Sequence, residues 1–284
     1  MTNNTSESWD EIIVPNDKIL KLNLKQVWRY KDLLKLFVRR DIVAQYKQTI
    51  LGPLWYFIQP LLTTFIFTVV FGNIAKLSTD GIPPMLFYLA GVTNWNYFAD
   101  CLNKTATTFK DNQQIFGKVY FPRLIVPLSV ISSNLLKYAI QMIMFFGFYV
   151  YFIAVGENVE PNVYAFTFPL IVVLLAGLGL GFGLIITSYT TKYRDLVFLL
   201  TFGVQLAMYA TPVIYPLSSI DAKYRFWMNL NPMTSIIETF KYGFLGQGTF
   251  SWISLGYSSV FMLVVLFVGI AIFNKTEKNF MDTV

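Results

Sequence analysis

Histidine is absent from this chain, cysteine occurs once, and charge is scarce. Without imidazole there is no His-based acid/base catalysis, no His-ligated metal and no Ser-His or Cys-His nucleophile pair. The lone Cys101 cannot form an internal disulfide and reads as a small packing residue. Charged residues make up 13% of the 284, where a soluble domain carries about 25%. With 55% hydrophobic residues, the balance is that of a polytopic membrane protein. The first residues, MTNNTSESWDEIIVPNDK (1–18), form a polar extension without an apolar core, so no cleaved signal peptide is expected and the first span is expected to serve as its own insertion signal. No internal repeat is visible, which disfavours the carriers built from repeated halves.

What is present begins with a basic amphipathic stretch. Val27, Tyr30, Leu33, Leu34, Phe37 and Val38 recur at the spacing of one helix face, with Arg29, Lys31, Lys35, Arg39 and Arg40 between them. A helix over 19–50 is expected in the membrane interface, apolar face in the acyl boundary and basic face at anionic headgroups. Gly52-Pro53 breaks it, and an uncharged run follows directly. Six runs approach the about 20 apolar residues that a span needs. They are 53–75, 84–103, 124–153, 163–188, 196–214 and 252–273. The expected fold is therefore all-α, with six transmembrane helices. The second run carries Asn94, Asn96, Asp100 and Asn103; the third opens on Pro122 and Pro127, so its first turns are expected to be broken or interfacial; the fifth is short and ends at Pro212 and Pro216.

Lys and Arg set the orientation. With a cytoplasmic N-terminus, seventeen of the 22 basic residues fall inside and four outside, with Lys137 within a span. Both termini are expected to be cytoplasmic. The net charge of +6 is thus a topology signal and needs no nucleic acid as partner.

Three spans carry polar stripes. Thr93, Asn96, Tyr97, Asp100, Asn103 and Lys104 share a face of the second; Thr201, Gln205, Tyr209 and Pro212 share one of the fifth; Tyr56, Gln59, Thr63 and Phe67 make a weaker one on the first. A polar stripe in lipid is expensive, so each faces protein or a water-filled path. Both readings stand: path lining, or helix–helix hydrogen bonding with Asp100 paired to Lys104 one turn on. An aromatic content of 18% favours a path for sugars, whose C–H faces stack on Tyr and Trp rings. In the fourth span, Gly177/Gly181 and Gly179/Gly183 are each four apart and permit close helix approach. That string lacks the lysine of a phosphate loop and lies in an apolar run, so it is no nucleotide site.

The external loop 215–251 is not simple coil. Asn231-Pro232 makes a turn, Thr234 is the expected N-cap, and Ile236, Ile237, Phe240, Phe244 and Leu245 give an apolar helix ended by Gly246 and Gly248. Such a helix outside the main bundle re-enters or lies on the membrane, and Glu238 and Lys241, three apart, are placed to pair. The cytoplasmic loop FKDNQQIFGKVYFPRLIVP mixes amides such as Gln114 with Phe116, Tyr120 and Phe121, aromatics expected to be exposed for a protein partner.

Several of these segments together resemble a known family. YKQTILGPLW (46–55) followed by Gln59-Pro60, KVYFPR (118–123), YRDL (193–196), NPMT (231–234) and FNKTEKNFMD (273–282) are similar to permease subunits of ABC-2 type polysaccharide exporters, which serve O-antigen, capsule and teichoic-acid export. The resemblance runs from about residue 25 to the end. It implies a homodimer in the bacterial cytoplasmic membrane, paired with two copies of a separate ATPase that holds ATP and Mg; this chain has no GxxxxGK[ST] and no cofactor of its own. It also implies that the interface helix (Arg39, Arg40) and the two cytoplasmic loops (Gln114, Phe116, Lys118, Tyr120, Phe121 and Arg123; Lys192, Tyr193, Arg194 and Asp195) meet that ATPase. External helices within 215–248, with Trp227, Asn231, Pro232, Glu238 and Lys241, would gate a channel between two copies. A lipid-linked glycan would pass there, along the three stripes. The alternatives are an ABC-2 exporter of small lipophilic molecules and a membrane-embedded glycan-modifying enzyme; the latter usually needs histidine or clustered acids, and Asp100, Asp195 and Glu238 are scattered.

Overall fold

Helix breaks fall where the sequence stops supporting hydrogen-bonded turns. The computed structural model describes residues 24–280 apart from 48, 120, 158 and 194; the polar extension 1–18, residues 19–23, Tyr120 and Arg194 lie outside the described residues. Among the described residues, twelve α-helices follow in chain order: α1 Leu24–Arg29, α2 Lys31–Tyr46, α3 Trp55–Phe67, α4 Pro84–Ala106, α5 Thr108–Asp111, α6 Gln113–Phe116, α7 Ile125–Val155, α8 Phe168–Thr190, α9 Leu196–Tyr209, α10 Ala222–Leu230, α11 Pro232–Leu245 and α12 Trp252–Phe280. No strand occurs among the described residues. The all-α reading holds.

The expected interface helix is two pieces, α1 and α2, broken at Tyr30, and it ends at Tyr46. Gly52, at φ +49, lets the chain turn before Pro53 and the start of the first span. That span, Gly52–Ile74, contains Pro60, and its last part, Thr68–Ile74, is wound as a π-helix.

Among the described residues, four segments are long and apolar enough to cross a membrane: Gly52–Ile74, Ile125–Val155, Val163–Thr190 and Trp252–Glu277. The other two expected spans are helices of a different kind. α4 is long enough, but its polar residues lower its hydropathy, and it survives because its neighbours cover it: sixteen of its residues are buried. α9, with 14 residues, is about 21 Å long, short of the about 30 Å hydrocarbon layer. It ends five residues earlier than expected, because residues 210–216 turn away into α10 and α11. α7 is not broken at its start: Pro127 sits in its first turn, where no intrahelical donor is required.

α8 is the central helix, and its glycines explain why. A Cβ on Gly179 would stand 2.6 Å from Cβ of Cys101 on α4, and one on Gly181 would stand 2.9 Å from the Leu266 amide of α12. The two glycine pairs therefore serve opposite faces, 179/183 against α4 and 177/181 against α12. Around this α4–α8–α12 slab, α7 packs on α4, α2 lies along α7, and α11 closes one end against α12.

Candidate functional site

The expected stripes divide into inward and outward sets. On α4, Thr93 is fully buried and Tyr97 is 2% exposed, its ring stacked on Tyr138 of α7 at 4.7 Å. Asp100 pairs with Lys137 of α7 at 2.7 Å, and not with Lys104 as the spacing suggested; Lys104 donates to Asn134 Oδ1 at 3.0 Å instead. Tyr138 donates to Asn94 Oδ1 at 2.8 Å. The physical reason is economy of partners: a lysine inside a span demands a carboxylate, and α7 presents Lys137 and Tyr138 to the polar side of α4. Thr93 and Tyr97 are therefore sealed within the protomer, Asn96 is half-buried, and Asp100 serves the α4–α7 interface. Sequence reading left Lys137, Tyr138 and Asn134 unassigned; the intramembrane lysine was the available signal.

The sets on α3 and α9 face outward. Gln59 and Thr63 lie on a shallow surface groove with Trp55, Leu62 and Ile66. Thr201, Gln205 and Tyr209 are exposed on α9, among the outward rings of Phe198 and Phe202. The Thr63 and Thr201 hydroxyls donate back to the carbonyls of Gln59 and Val197, which leaves the two glutamine amides as the polar groups offered outward. Tyr56 is half-buried; its hydroxyl donates to Gln45 of α2 at 2.6 Å, and Lys137 stands 5.9 Å over its ring. Tyr56 thus ties the interface helix to the first span.

The loop between α4 and α7 reverses one expectation. Phe116 and Phe121 are buried, in a cluster with Phe37 of α2, Phe109 of α5 and Phe273 of α12. Their rings hold the loop on the bundle: Phe37–Phe121 edge-to-face at 5.6 Å, Phe109–Phe273 stacked at 4.8 Å. Apolar rings on a loop need not signal a partner when the protomer itself supplies the pocket. Arg123 acts likewise, donating to the Glu277 carbonyl at 3.0 Å, and Arg40 binds Asp41 at 2.8 Å and the Asn112 side chain at 3.2 Å. Asp41 in turn accepts from Ser129 of α7 at 3.2 Å. The groups left outward are Arg39, Gln114 and Lys118, with Lys192, Tyr193 and Asp195 on the second loop. Arg194 and Tyr120 cannot be added to that surface, being outside the described residues.

In the segment between α9 and α12, Asn231, not Thr234, caps α11: its Oδ1 accepts from the Met233 amide at 3.0 Å, with Pro232 at the first helical position. Its Nδ2 donates to Thr211 at 2.8 Å, joining α11 to the end of α9. Glu238 and Lys241 make no ion pair with each other. Lys241 is buried, donates to the Pro212 carbonyl at 2.7 Å and lies 3.6 Å over the Phe87 ring of α4. Glu238 Oε2 accepts from the amide and hydroxyl of Thr249 at 3.2 and 3.3 Å. Spacing brings the two side chains near each other on α11, but each takes a backbone or hydroxyl partner from a neighbouring segment instead. Trp227 of α10 stands exposed.

The family description "ABC-2 type transporter" matches residues 32–245, from the interface helix to the end of α11. The chain belongs to this family. Among curated proteins, this ABC-2 chain is 27% identical over 266 residues to an O-antigen export system permease protein RfbA of Klebsiella pneumoniae, covering 93% of this chain and 98% of that one. The Myxococcus xanthus RfbA is 25% identical over 263 residues, covering 92% and 98%. The polysialic acid transport protein KpsM of Escherichia coli is 25% identical over 247 residues, covering 84% and 91%.

Proposed function

We infer that this ABC-2 chain is the membrane permease subunit of an ATP-driven exporter that moves a lipid-linked polysaccharide across the bacterial cytoplasmic membrane. The observation that carries the reading is similarity to proteins named for O-antigen export and polysialic acid transport, over 98% and 91% of their lengths. Two permease copies form the path, with the outward α3 and α9 faces opposed. Support comes from the cost of leaving Gln59, Thr63, Thr201, Gln205 and Tyr209 against lipid, which a second copy and a hydrated glycan between them would remove. Hydrogen-bonding amides and Tyr rings that read no single sugar suit a polymer sliding through many registers.

Nucleotide chemistry belongs to two copies of a partner ATPase. It docks on the cytoplasmic side at Arg39, Gln114, Lys118, Lys192, Tyr193 and Asp195, while Phe116, Phe121, Arg40 and Arg123 fix those loops to α2, α7 and α12. Both termini are cytoplasmic by the basic-residue asymmetry. α10 and α11 gate the outer end, locked to α4 and α9 through Lys241 and Asn231. The test is gene deletion with fractionation of glycan. Lipid-linked glycan retained in the cytoplasm, and restored to the surface by the wild-type chain, supports the reading; unchanged surface glycan overturns it.

A further inference from the structure

Between α11 and the start of α12 lies a cavity of about 340 Å³ that the functions above do not use. It is lined by Glu238 and Thr234 of α11, by Thr249, Phe250 and Ser254 on the way into α12, and by Arg225 of α10. Glu238 is 2% exposed. Thr249 holds its Oε2 from both backbone and side chain, and Gly248, at φ +119, brings the chain so close that a Cβ there would stand 3.2 Å from that oxygen. Oε1 is buried and has no hydrogen-bond partner, and the Thr234 hydroxyl, on the same helix, is also buried without one. A buried carboxylate oxygen without a donor is costly. One held in place on a side chain that lines a cavity is explained by a donor that enters the cavity.

The lining selects the class of ligand. An apolar guest would leave Oε1 unsatisfied. A divalent cation would want several oxygen anions, but no group of three or more acidic, Cys or His side chains gathers among the described residues, and Arg225 opposes a cation. A pyranose unit supplies hydroxyl donors for Oε1, acceptors for Arg225 and Asn229, and a C–H face for the Phe250 ring. The volume is at the lower end of the about 300–1,000 Å³ of small-ligand sites, which suits one sugar. The lining is also tied to the turn between α3 and α4. Ser218 donates to both carboxylate oxygens of Asp80 at 2.7 and 2.8 Å, and Arg225 donates to the Ser218 carbonyl at 2.8 Å.

We propose that this cavity is a saccharide subsite on the outer face, where one pyranose unit of the exported glycan binds with its hydroxyls on Glu238 Oε1. The proposal rests on the polysaccharide reading. It is tested with the permease–ATPase complex in lipid nanodiscs, by saturation-transfer NMR with the methyl glycosides of glucose, galactose, mannose and N-acetylglucosamine. At least one glycoside is expected to receive saturation. Ser254→Trp, which fills the cavity from its α12 side and leaves Glu238 untouched, should abolish the signal. Glu238→Gln, which puts an amide in place of the free oxygen or of the one Thr249 holds, should weaken it at least tenfold; both variants are first checked for unchanged thermal stability, and Ser254→Tyr replaces the tryptophan if that one unfolds. No saturation of any glycoside, or equal saturation in wild type and variants, overturns the subsite, and it does so without touching the export reading if deletion still abolishes surface glycan. Glycoside binding in a protein whose deletion leaves surface glycan unchanged overturns the export reading and with it the identity of the ligand.

Discussion

Replacing Asp100 by Asn tests the buried polar seam between α4 and α7. The substitution keeps the size of the side chain and leaves the Lys137 ammonium, 16% exposed, facing a neutral amide. Breaking a fully buried pair costs roughly 3–5 kcal/mol through the charge left behind. Asp100 retains 30% of its side-chain exposure, so water offsets part of that loss and about 2 kcal/mol is expected. The pair bridges α4 and α7, so the effect falls on stability first. The assay is thermal unfolding of the purified permease in detergent, run as a double-mutant cycle. Asp100→Asn and Lys137→Met should each destabilise, and together they should cost less than the sum by about 1–2 kcal/mol. The parallel cycle with Lys104→Met should show a smaller coupling, since Lys104 is bonded to Asn134. If Asp100→Asn leaves stability unchanged, or if the coupling lies with Lys104, the seam described for α4 and α7 is wrong.

Gly179→Leu should destabilise the bundle by at least about 1–3 kcal/mol, because its side chain meets Cys101 and the α4 backbone, whereas Gly147→Ala, with open space around it, should be near neutral; equal melting temperatures would contradict the central role of α8. Phe116→Ala should cost about 3–5 kcal/mol of permease stability as a core deletion, measured before any ATPase is added; a fully stable variant would restore the exposed, partner-facing reading of that ring. Lys118→Glu should do the reverse, preserving the melting temperature and lowering copurification of the ATPase, and unchanged copurification would remove Lys118 from the docking surface. Lys241→Met should loosen the external segment, read as faster hydrogen exchange at residues 210–216, because the Pro212 carbonyl loses its donor; unchanged exchange there would show that Lys241 is not the lock.

Legibility followed the range of the interaction. The break at Gly52-Pro53, the paired glycines of the fourth span and the shortness of the fifth are local or periodic signals, and each reappears in the structure, as Gly52 at φ +49, as close approaches to α4 and α12, and as a 14-residue α9. Polar stripes were legible as stripes, but not by what they face. Asp100 could be assigned a partner on its own helix only, because spacing within a segment is visible and the register of α4 against α7 is not. Phe116 and Phe121 were misread for the same reason: the rings that cover them come from residues 37, 109 and 273, which only the tertiary fold brings together. The cavity at Glu238 was invisible, since its walls come from three helices and a glycine turn.

Path lining by α3 and α9 is the central claim, and accessibility to reagents tests it most directly. Single cysteines at Gln59, Gln205 and Tyr209, with Thr93 as buried control, are placed in a Cys101→Ser background and treated with a membrane-impermeant maleimide while the ATPase turns over. The account predicts labelling at 59, 205 and 209, none at 93, and protection of the labelled positions when a glycan is stalled in the complex. Labelling at those three positions by lipid-soluble reagents alone, with or without glycan, would contradict it.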